Sequence, residues 1–227
     1  MNPKASADLT KLYQIRYNNE FLARKNAIWA VICKNFYQRY VRASDTVIDV
    51  ASGHGEFINH IAALRKIAVD LKDGADESLN ENVEFHQLSA EQIGAKFPCE
   101  ADVIFVSNFL EHLPDKKALL TFLEQVMQSL KPGGRFLIVG PNLRYLPGEY
   151  WDYFDHYLGL THHSLSEALG LTGYEIEVCI DRFLPHSDKG NSLPNPLLVW
   201  LYFKLPWAWK FFGKQFFIVA KKPSQRV

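Results

Sequence analysis

Apolar residues recur at mixed three- and four-residue spacing through the first forty positions, at Leu12, Ile15, Phe21, Leu22, Ile28, Trp29, Ile32 and Phe36. A helix buries one stripe at that period, so Leu9–Tyr40 is expected to form two helices. The pattern then changes. Short apolar runs at Val47–Val50, Lys66–Val69, Asp102–Val106 and Arg135–Val139 read as strands, the last two continuous enough to be buried on both faces. Val83–Leu88 alternates and reads as a third strand between them. Gly55–Leu64 is expected to be a helix, Ser89-Ala90-Glu91 a helix cap and first turn, and Asp115–Leu130 a strong helix closed by Lys131-Pro132-Gly133-Gly134. Tyr174–Phe183 and Gln215–Ala220 supply the last two strands. Strands alternating with helices predict an α/β fold, a doubly wound, mostly parallel sheet with helices on both faces.

Composition narrows this only at the edges. A chain of 227 residues fits one domain with a large core. Basic and acidic residues balance at 25 each, which argues against nucleic acid as a partner. The balance hides an asymmetry: from Lys189 onward there are seven basic residues and no acid, leaving 18 basic against 25 acidic before it. Cys33, Cys99 and Cys179 are far apart and form no CxxC pair, as in a reducing compartment without a structural metal. The polar start lacks the apolar core of a signal peptide, and the most apolar run, Leu197–Phe203, is too short to span a bilayer. A cytoplasmic protein is expected, with the inner face of the membrane as a peripheral address.

The stretch Thr46–Phe57, Thr-Val-Ile-Asp-Val-Ala-Ser-Gly-His-Gly-Glu-Phe, carries the first chemistry. A strand empties into a small-residue turn, where Gly53 and Gly55 let backbone approach a ligand. The helix expected next would offer unpaired N–H groups. A dinucleotide fingerprint needs a glycine three positions after Gly55, where Ile58 stands. Asp70, twenty-one positions after Asp49, ends the next strand and is placed to accept hydrogen bonds from ribose hydroxyls. These features fit a nucleoside without a pyrophosphate. Asp49 either contacts that ligand or accepts neighbouring backbone N–H groups.

Val-Ile-Asp-Val-Ala-Ser-Gly-His-Gly resembles motif I of the class I S-adenosylmethionine-dependent methyltransferases, in particular their small-molecule, type 11-like members. Ser107-Asn108-Phe109-Leu110-Glu111-His112-Leu113 is similar to their segment after strand four, and Leu130–Phe136 to their turn before strand five. The likeness runs from about Asp45 to Asn142. It implies a seven-stranded Rossmann-like sheet with an antiparallel last strand, S-adenosylmethionine as co-substrate, and methyl transfer. It also implies a site. Gly53 and Gly55 would let backbone approach the methionine part, Asp70 would hold the ribose hydroxyls, Ser89 and Ala90 would contact the adenine, and Ser107 and Asn108 would line the methionine side, with Asp49, Ala51 and Leu71 as further co-substrate-binding candidates. Ala51 replaces the family's first motif glycine, a mild change if its φ is negative. Ser89 stands where an acid commonly faces the adenine amino group.

A loop beginning after Asn142 and reaching Tyr157 leaves the fifth strand. Loops beyond the carboxyl ends of strands form the ligand crevice of such a sheet. Asn142, Tyr145, Tyr150, Trp151 and Tyr153 are therefore candidate acceptor-binding residues. Phe154 and Tyr157 extend the aromatic wall that can face a sulfonium cation. A histidine oriented by a carboxylate suits removal of a hydroxyl proton, so His156 beside Asp155 is the leading candidate base and His112 the second. Each histidine can equally be a capping or loop-packing residue. Asp152, Asp155 and Asn142 have the chemistry to ligate a hard cation, but no metal is expected. The acceptor is read as a small molecule, an oxygen of a sugar, lipid-linked or secondary-metabolite substrate, reached by in-line displacement.

Pro194-Asn195-Pro196 and an apolar run separate the last two strands. Pro206 holds Leu205 extended, so two short helices are expected there instead of one. Trp200, Tyr202, Trp207 and Trp209 among Lys204, Lys210 and Lys214 have the composition of an interfacial membrane anchor at 197–212. Packing on the domain, covering the pocket and making a homodimer contact are its competing roles. The expected organisation is a helical cap over 1–44, a co-substrate-binding core over 45–185, an aromatic and basic insertion over 186–213, and a last strand and tail over 214–227. Two other functions fit the pattern less well. A catalytically silent S-adenosylmethionine-binding or membrane-docking protein is kept open by Ala51 and Ser89. A nicotinamide-dependent oxidoreductase is disfavoured by the missing third glycine.

Overall fold

Seven strands form one sheet in the order β3-β2-β1-β4-β5-β7-β6. They are β1 (Thr46–Val50), β2 (Arg65–Asp70), β3 (Val83–Gln87), β4 (Ala101–Ser107), β5 (Leu130–Pro141), β6 (Glu175–Ile180) and β7 (Gln215–Lys221). The first five run parallel, and β7 lies antiparallel between β5 and β6. The computed structural model describes residues 19–186 and 194–224, so the first helix expected within Leu9–Tyr40 falls largely outside them. The helices are α1 (Asn19–Asn35), α2 (Ile93–Lys96), α3 (Lys116–Ser129), α4 (His162–Leu171), α5 (Pro196–Lys204) and α6 (Pro206–Phe212).

Continuous apolar runs became the central strands because helices cover both faces of the sheet there. On one face Ile48, Val50, Ile104, Val106 and Ile138 meet Phe122 and Val126 of α3 and Leu165 and Leu169 of α4. On the other, Val47, Phe105, Leu137 and Val219 meet Ile32 of α1, Phe36 just after it, and Val199 and Phe203 of α5. The alternating run Val83–Gln87 lies at the sheet edge, half-covered. Asp115 caps α3 by accepting the Ala118 N–H at 2.8 Å.

Two local expectations are corrected. Gly55–Leu64 forms no regular helix; single turns close at Asn59 N–H to Gly55 O (2.9 Å) and Ile61 N–H to Phe57 O (3.1 Å). Gly53 and Gly55 sit at φ of 58° and 74°. The Asn59 side chain is engaged elsewhere, donating to Ser78 O at 2.9 Å and accepting from the Asn80 N–H at 2.8 Å. That lateral bonding competes with a helix. Lys131–Gly134 is no free turn either. It is the irregular start of β5, with Gly133 at φ 79° and a register shift opposite Ala101–Val103. The tail divides into two helices as expected, although Leu205, between α5 and Pro206, is neither helical nor fully extended at φ −123°, ψ 71°.

Phe36 ties these layers together. It is 2% exposed, and its ring lies 4.3 Å from that of Phe183, 5.0 Å from Phe217, 5.5 Å from Phe203 and 5.8 Å from Trp209. Replacing Phe36 with Ala should therefore lower unfolding free energy by about 3–5 kcal/mol. Urea denaturation followed by tryptophan fluorescence measures it, and a loss under about 1 kcal/mol would show that the tail helices are not packed on α1 as described.

Candidate active site

The loop after β1 is held by its own sequence. Asp70, at the end of β2, accepts the Gly53 N–H through Oδ2 and the Lys72 N–H through Oδ1, both at 2.8 Å. The Ser52 N–H reaches Val69 O at 3.2 Å. The loop is thus sewn to the strand beside it, and one of the N–H groups expected to be open is already engaged by Asp70. Ala51 has φ 55°, so the condition for a mild glycine replacement is not met: an L-residue occupies the left-handed region at the strand end. Asn108, after β4, is left-handed as well at φ 49°, a conformation asparagine tolerates.

Whether these residues suit a nucleoside with a sulfonium and an amino acid tail can be judged from three features. The Cα face of Gly53 is open except for Glu56 Oε2, 3.6 Å from where a Cβ would sit, so backbone can be approached there. The equivalent face of Gly55 is filled by Leu79, only 2.4 Å from where its Cβ would sit, so Gly55 serves the fold of the turn. Ser52 Oγ is buried and lacks a hydrogen-bond partner. An open backbone face beside an orphaned hydroxyl and the Asp70 carboxylate fits such a ligand. Ser89 instead caps the turn Ala90–Gln92 and accepts the Glu91 N–H. Ser107 Oγ accepts from Asn108 Nδ2 at 3.1 Å, at the same end of the sheet.

Two acids, Asp49 in β1 and Glu56 in the loop after it, are largely withdrawn from solvent. Asp49 is 3% exposed, and burial, then the Glu56 and Asp70 carboxylates, push its pKa well up, while the Ile58 N–H it accepts works the other way. Of the two roles open to Asp49, backbone support is therefore filled. Burial also raises Glu56, but Lys25 Nζ at 2.6 Å outweighs it and holds that carboxyl below its usual value. A nearby cleft of about 240 Å³ includes His54 and Glu56 among its lining, yet none of Asp70, Ser89 or Ser107, so it lies beside the nucleoside position and not in it.

The acceptor loop is pinned across the same edge. The Tyr157 and Leu158 N–H groups both donate to Glu111 O, at 2.9 and 3.0 Å, joining the loop to the turn Leu110–His112 that follows β4. Asn142 is fully buried, its Nδ2 3.0 Å from His162 Nδ1 and donating to Asp181 O at 2.9 Å. Tyr150 is fully buried too and donates to Leu158 O. Tyr145 donates to Asp181, with the Arg182 guanidinium 3.9 Å from its ring centroid. Asn142 and Tyr150 are thus spent on building the loop, while Tyr145 is half-buried and engaged through its hydroxyl. Trp151 is half exposed, and Tyr153 stacks on His156 with ring centroids 4.8 Å apart.

The three residues expected to act catalytically converge, although His112 is 43 positions from Asp155. His112 Nδ1 lies 2.7 Å from Asp155 O and 3.5 Å from Asp155 Oδ2. The His112 and His156 rings are 5.2 Å apart. Burial, then the neighbouring His112, lower the His156 pKa to about 4, against the Tyr150 carbonyl and Asp155. Its Nδ1 is buried without a hydrogen-bond partner. Sequence reading missed Glu111, which is 3% exposed and whose carboxyl burial pushes up. Glu111, His112 and His156 each offer a ligand atom within 4.8 Å of the others, a set with the chemistry to hold a metal ion. The adjacent Glu111-His112 pair after a buried strand was the available signal for it. Asp152 is not in this group.

Two measurements follow from the loop. Ala51→Gly should raise the unfolding free energy by up to about 1 kcal/mol, as relief of left-handed strain exceeds the added chain entropy; a destabilised variant in urea melts would contradict the φ assigned to Ala51. Asp49 binds its proton more tightly folded than unfolded, so its contribution is greatest at low pH and is lost as pH rises toward the raised value. Asp49→Asn, which keeps an acceptor for Ile58, should therefore gain Tm relative to wild type as pH increases from 4 to 8. A gap that stayed constant would show that Asp49 is not held protonated.

A family profile described as "Methyltransferase domain" matches residues 23–177. Ribosomal protein L11 methyltransferase of Bacillus pumilus is 36% identical over 121 residues, 48% of this chain and 36% of that protein, so the chain spans about a third of that relative's length. Among solved structures, a SAM-dependent methyltransferase from Archaeoglobus fulgidus superposes with a TM-score of 0.61 at 19% identity, covering 90% of this chain and 100% of that one. The [4+2]-cyclase SpnF superposes at 0.59 with 13% identity, over 88% of this chain and 81% of its own. Structural likeness at such identities shows the fold alone, and the cyclase shows that this fold carries more than one reaction. The profile match, which spans about two-thirds of the chain, is what places it among the class I S-adenosylmethionine-dependent methyltransferases, with S-adenosylmethionine as its co-substrate.

Proposed function

We propose that this methyltransferase acts on an oxygen of a small-molecule acceptor, with the group of His112, Asp155 and His156 taking the acceptor's proton. The convergence of these residues from the β4 and β5 loops onto one edge of the sheet carries the reading. When bound, S-adenosylmethionine supplies a methyl group on a sulfonium, open to in-line displacement.

The rest is done by the chain. Asp70, bonded to the Gly53 N–H, holds the loop beside the nucleoside position. Tyr153 and Trp151 wall the acceptor and exclude water, which strengthens every electrostatic contact inside. His112 is the better placed base. With Nδ1 turned to the Asp155 carbonyl, its Nε2 carries the free lone pair, and the Asp155 carboxylate stabilises the imidazolium formed. His156, neutral down to about pH 4, accepts a hydrogen bond from the acceptor hydroxyl and orients it. This reverses the order in which the two histidines were ranked from sequence. A sugar, a lipid-linked molecule or a secondary metabolite supplies such a hydroxyl.

Asp70→Ala should weaken S-adenosylmethionine and S-adenosylhomocysteine binding by calorimetry about tenfold or more, the scale of a charge-assisted hydrogen bond. His112→Gln should lower kcat about 100-fold or more and leave that binding unchanged. A full-rate His112→Gln enzyme would end its role as base. Activity should also survive chelation by EDTA; loss on chelation with recovery on adding Zn²⁺ or Mn²⁺ would reassign Glu111, His112 and His156 as metal ligands. The acceptor is found by transfer of a tritiated methyl group into cell extract split into lipid and aqueous fractions. Label confined to protein, the acceptor named for the Bacillus pumilus relative, would overturn the small-molecule reading.

A further inference from the structure

The helices α5 and α6 have two faces. Val199, Phe203 and Ala208 are buried, and Trp209 packs with them against Phe36 and Phe183. That contact accounts for the inward face of these helices. The other face points outward: Leu197, Leu198, Trp207, Phe211 and Phe212 are 59–72% exposed, and Trp200 and Leu201 more than 40%. Seven large apolar side chains over seventeen residues exceed the scattered hydrophobics of an ordinary surface.

The charges on these helices are of one sign. Neither α5 nor α6 contains an acid, and Lys204 and Lys210 are exposed among the aromatics. The Lys204 ammonium lies 5.5 Å from the Trp200 ring centroid. Two copies of this face would be an isologous pair, setting those lysines against their own kind. An anionic bilayer supplies the opposite charge and accepts tryptophan and phenylalanine at the headgroup level, where lysine stems also lie.

We infer that α5 and α6 dock the protein on an anionic lipid bilayer, lying in the plane of its headgroups. The docking face adjoins the active site. α6 leads through Lys214 into β7, whose first residue pairs with Pro141, where the acceptor loop begins. Lys214 Nζ meets Glu149 of that loop at 2.6 Å. The surface therefore holds the mouth of the acceptor site at the depth where an amphiphile's polar group lies. The docking itself stands independently of which atom is methylated.

The test is flotation of the full-length protein with vesicles of phosphatidylcholine alone or mixed with phosphatidylglycerol. The protein should float with the mixed vesicles at low salt, bind less at high salt, and shift its tryptophan emission to the blue. Trp207→Glu with Phe211→Glu should abolish flotation while S-adenosylmethionine binding, measured by calorimetry, is kept. Lys204→Gln and Lys210→Gln should each lower partitioning about fivefold. Absence of flotation with mixed vesicles at low salt would overturn the inference. So would sedimentation of the wild type as a dimer that the Trp207→Glu, Phe211→Glu variant dissolves.

Discussion

The antiparallel pairing of β5 with β7, in register from Arg135 opposite Lys221 to Pro141 opposite Gln215, decides where everything functional can be. A parallel strand sends its outgoing chain to one edge, and the antiparallel neighbour receives its incoming chain from that same edge. The acceptor loop must leave, and the paired helices must arrive, at adjacent points. The hydrogen bond from the Asn142 N–H to Lys214 O, at 3.0 Å, marks that point, and the Glu149–Lys214 ion pair lies just beyond it. No side-chain interaction is needed to explain why the tail lies beside the site.

The site itself is assembled from groups that burial makes costly. Asp49 and Glu111 have almost no solvent exposure, and both carboxyls are pushed up by desolvation. Glu56 escapes this through Lys25. His156 goes the other way and is kept neutral. Carboxyls and an imidazole whose charged forms burial disfavours respond to charge brought from outside, because an arriving cation lowers the cost of ionising each carboxyl. Such a region is less stable than an apolar one of the same shape, and that is the usual mark of a site kept for chemistry.

Much of the fold was legible because its strands are encoded twice, by apolar runs and by spacing. Every strand fell within a few residues of expectation except the early start of β5 at Leu130, and Pro206 alone was enough to split the tail. The failures share a cause. Gly55–Leu64 looked helical until Asn59 found partners at Ser78 and Asn80, some twenty positions away. Ala51 gave no sign of positive φ, since alanine favours the opposite region. At the site, the Asp155–His156 and His112 candidates were visible by residue type, but that they meet is a property of the β4 and β5 loops together. Glu111, one residue from His112, was passed over because a carboxylate looks alike whether exposed or buried. Asn142, Tyr145 and Tyr150 were visible as polar and aromatic residues in the right loop, though nothing local told that they bond inward.

The break at Leu205 and Pro206 has a consequence for residence. An unbroken helix from Pro196 to Phe212 would measure about 26 Å, close to the thickness of a bilayer's hydrocarbon interior. Split in two, neither piece can cross it, and among the described residues no helix is long and apolar enough to do so. Attachment of the kind inferred above would, through such halves, be a partition equilibrium, with an occupancy that follows lipid charge and ionic strength from moment to moment.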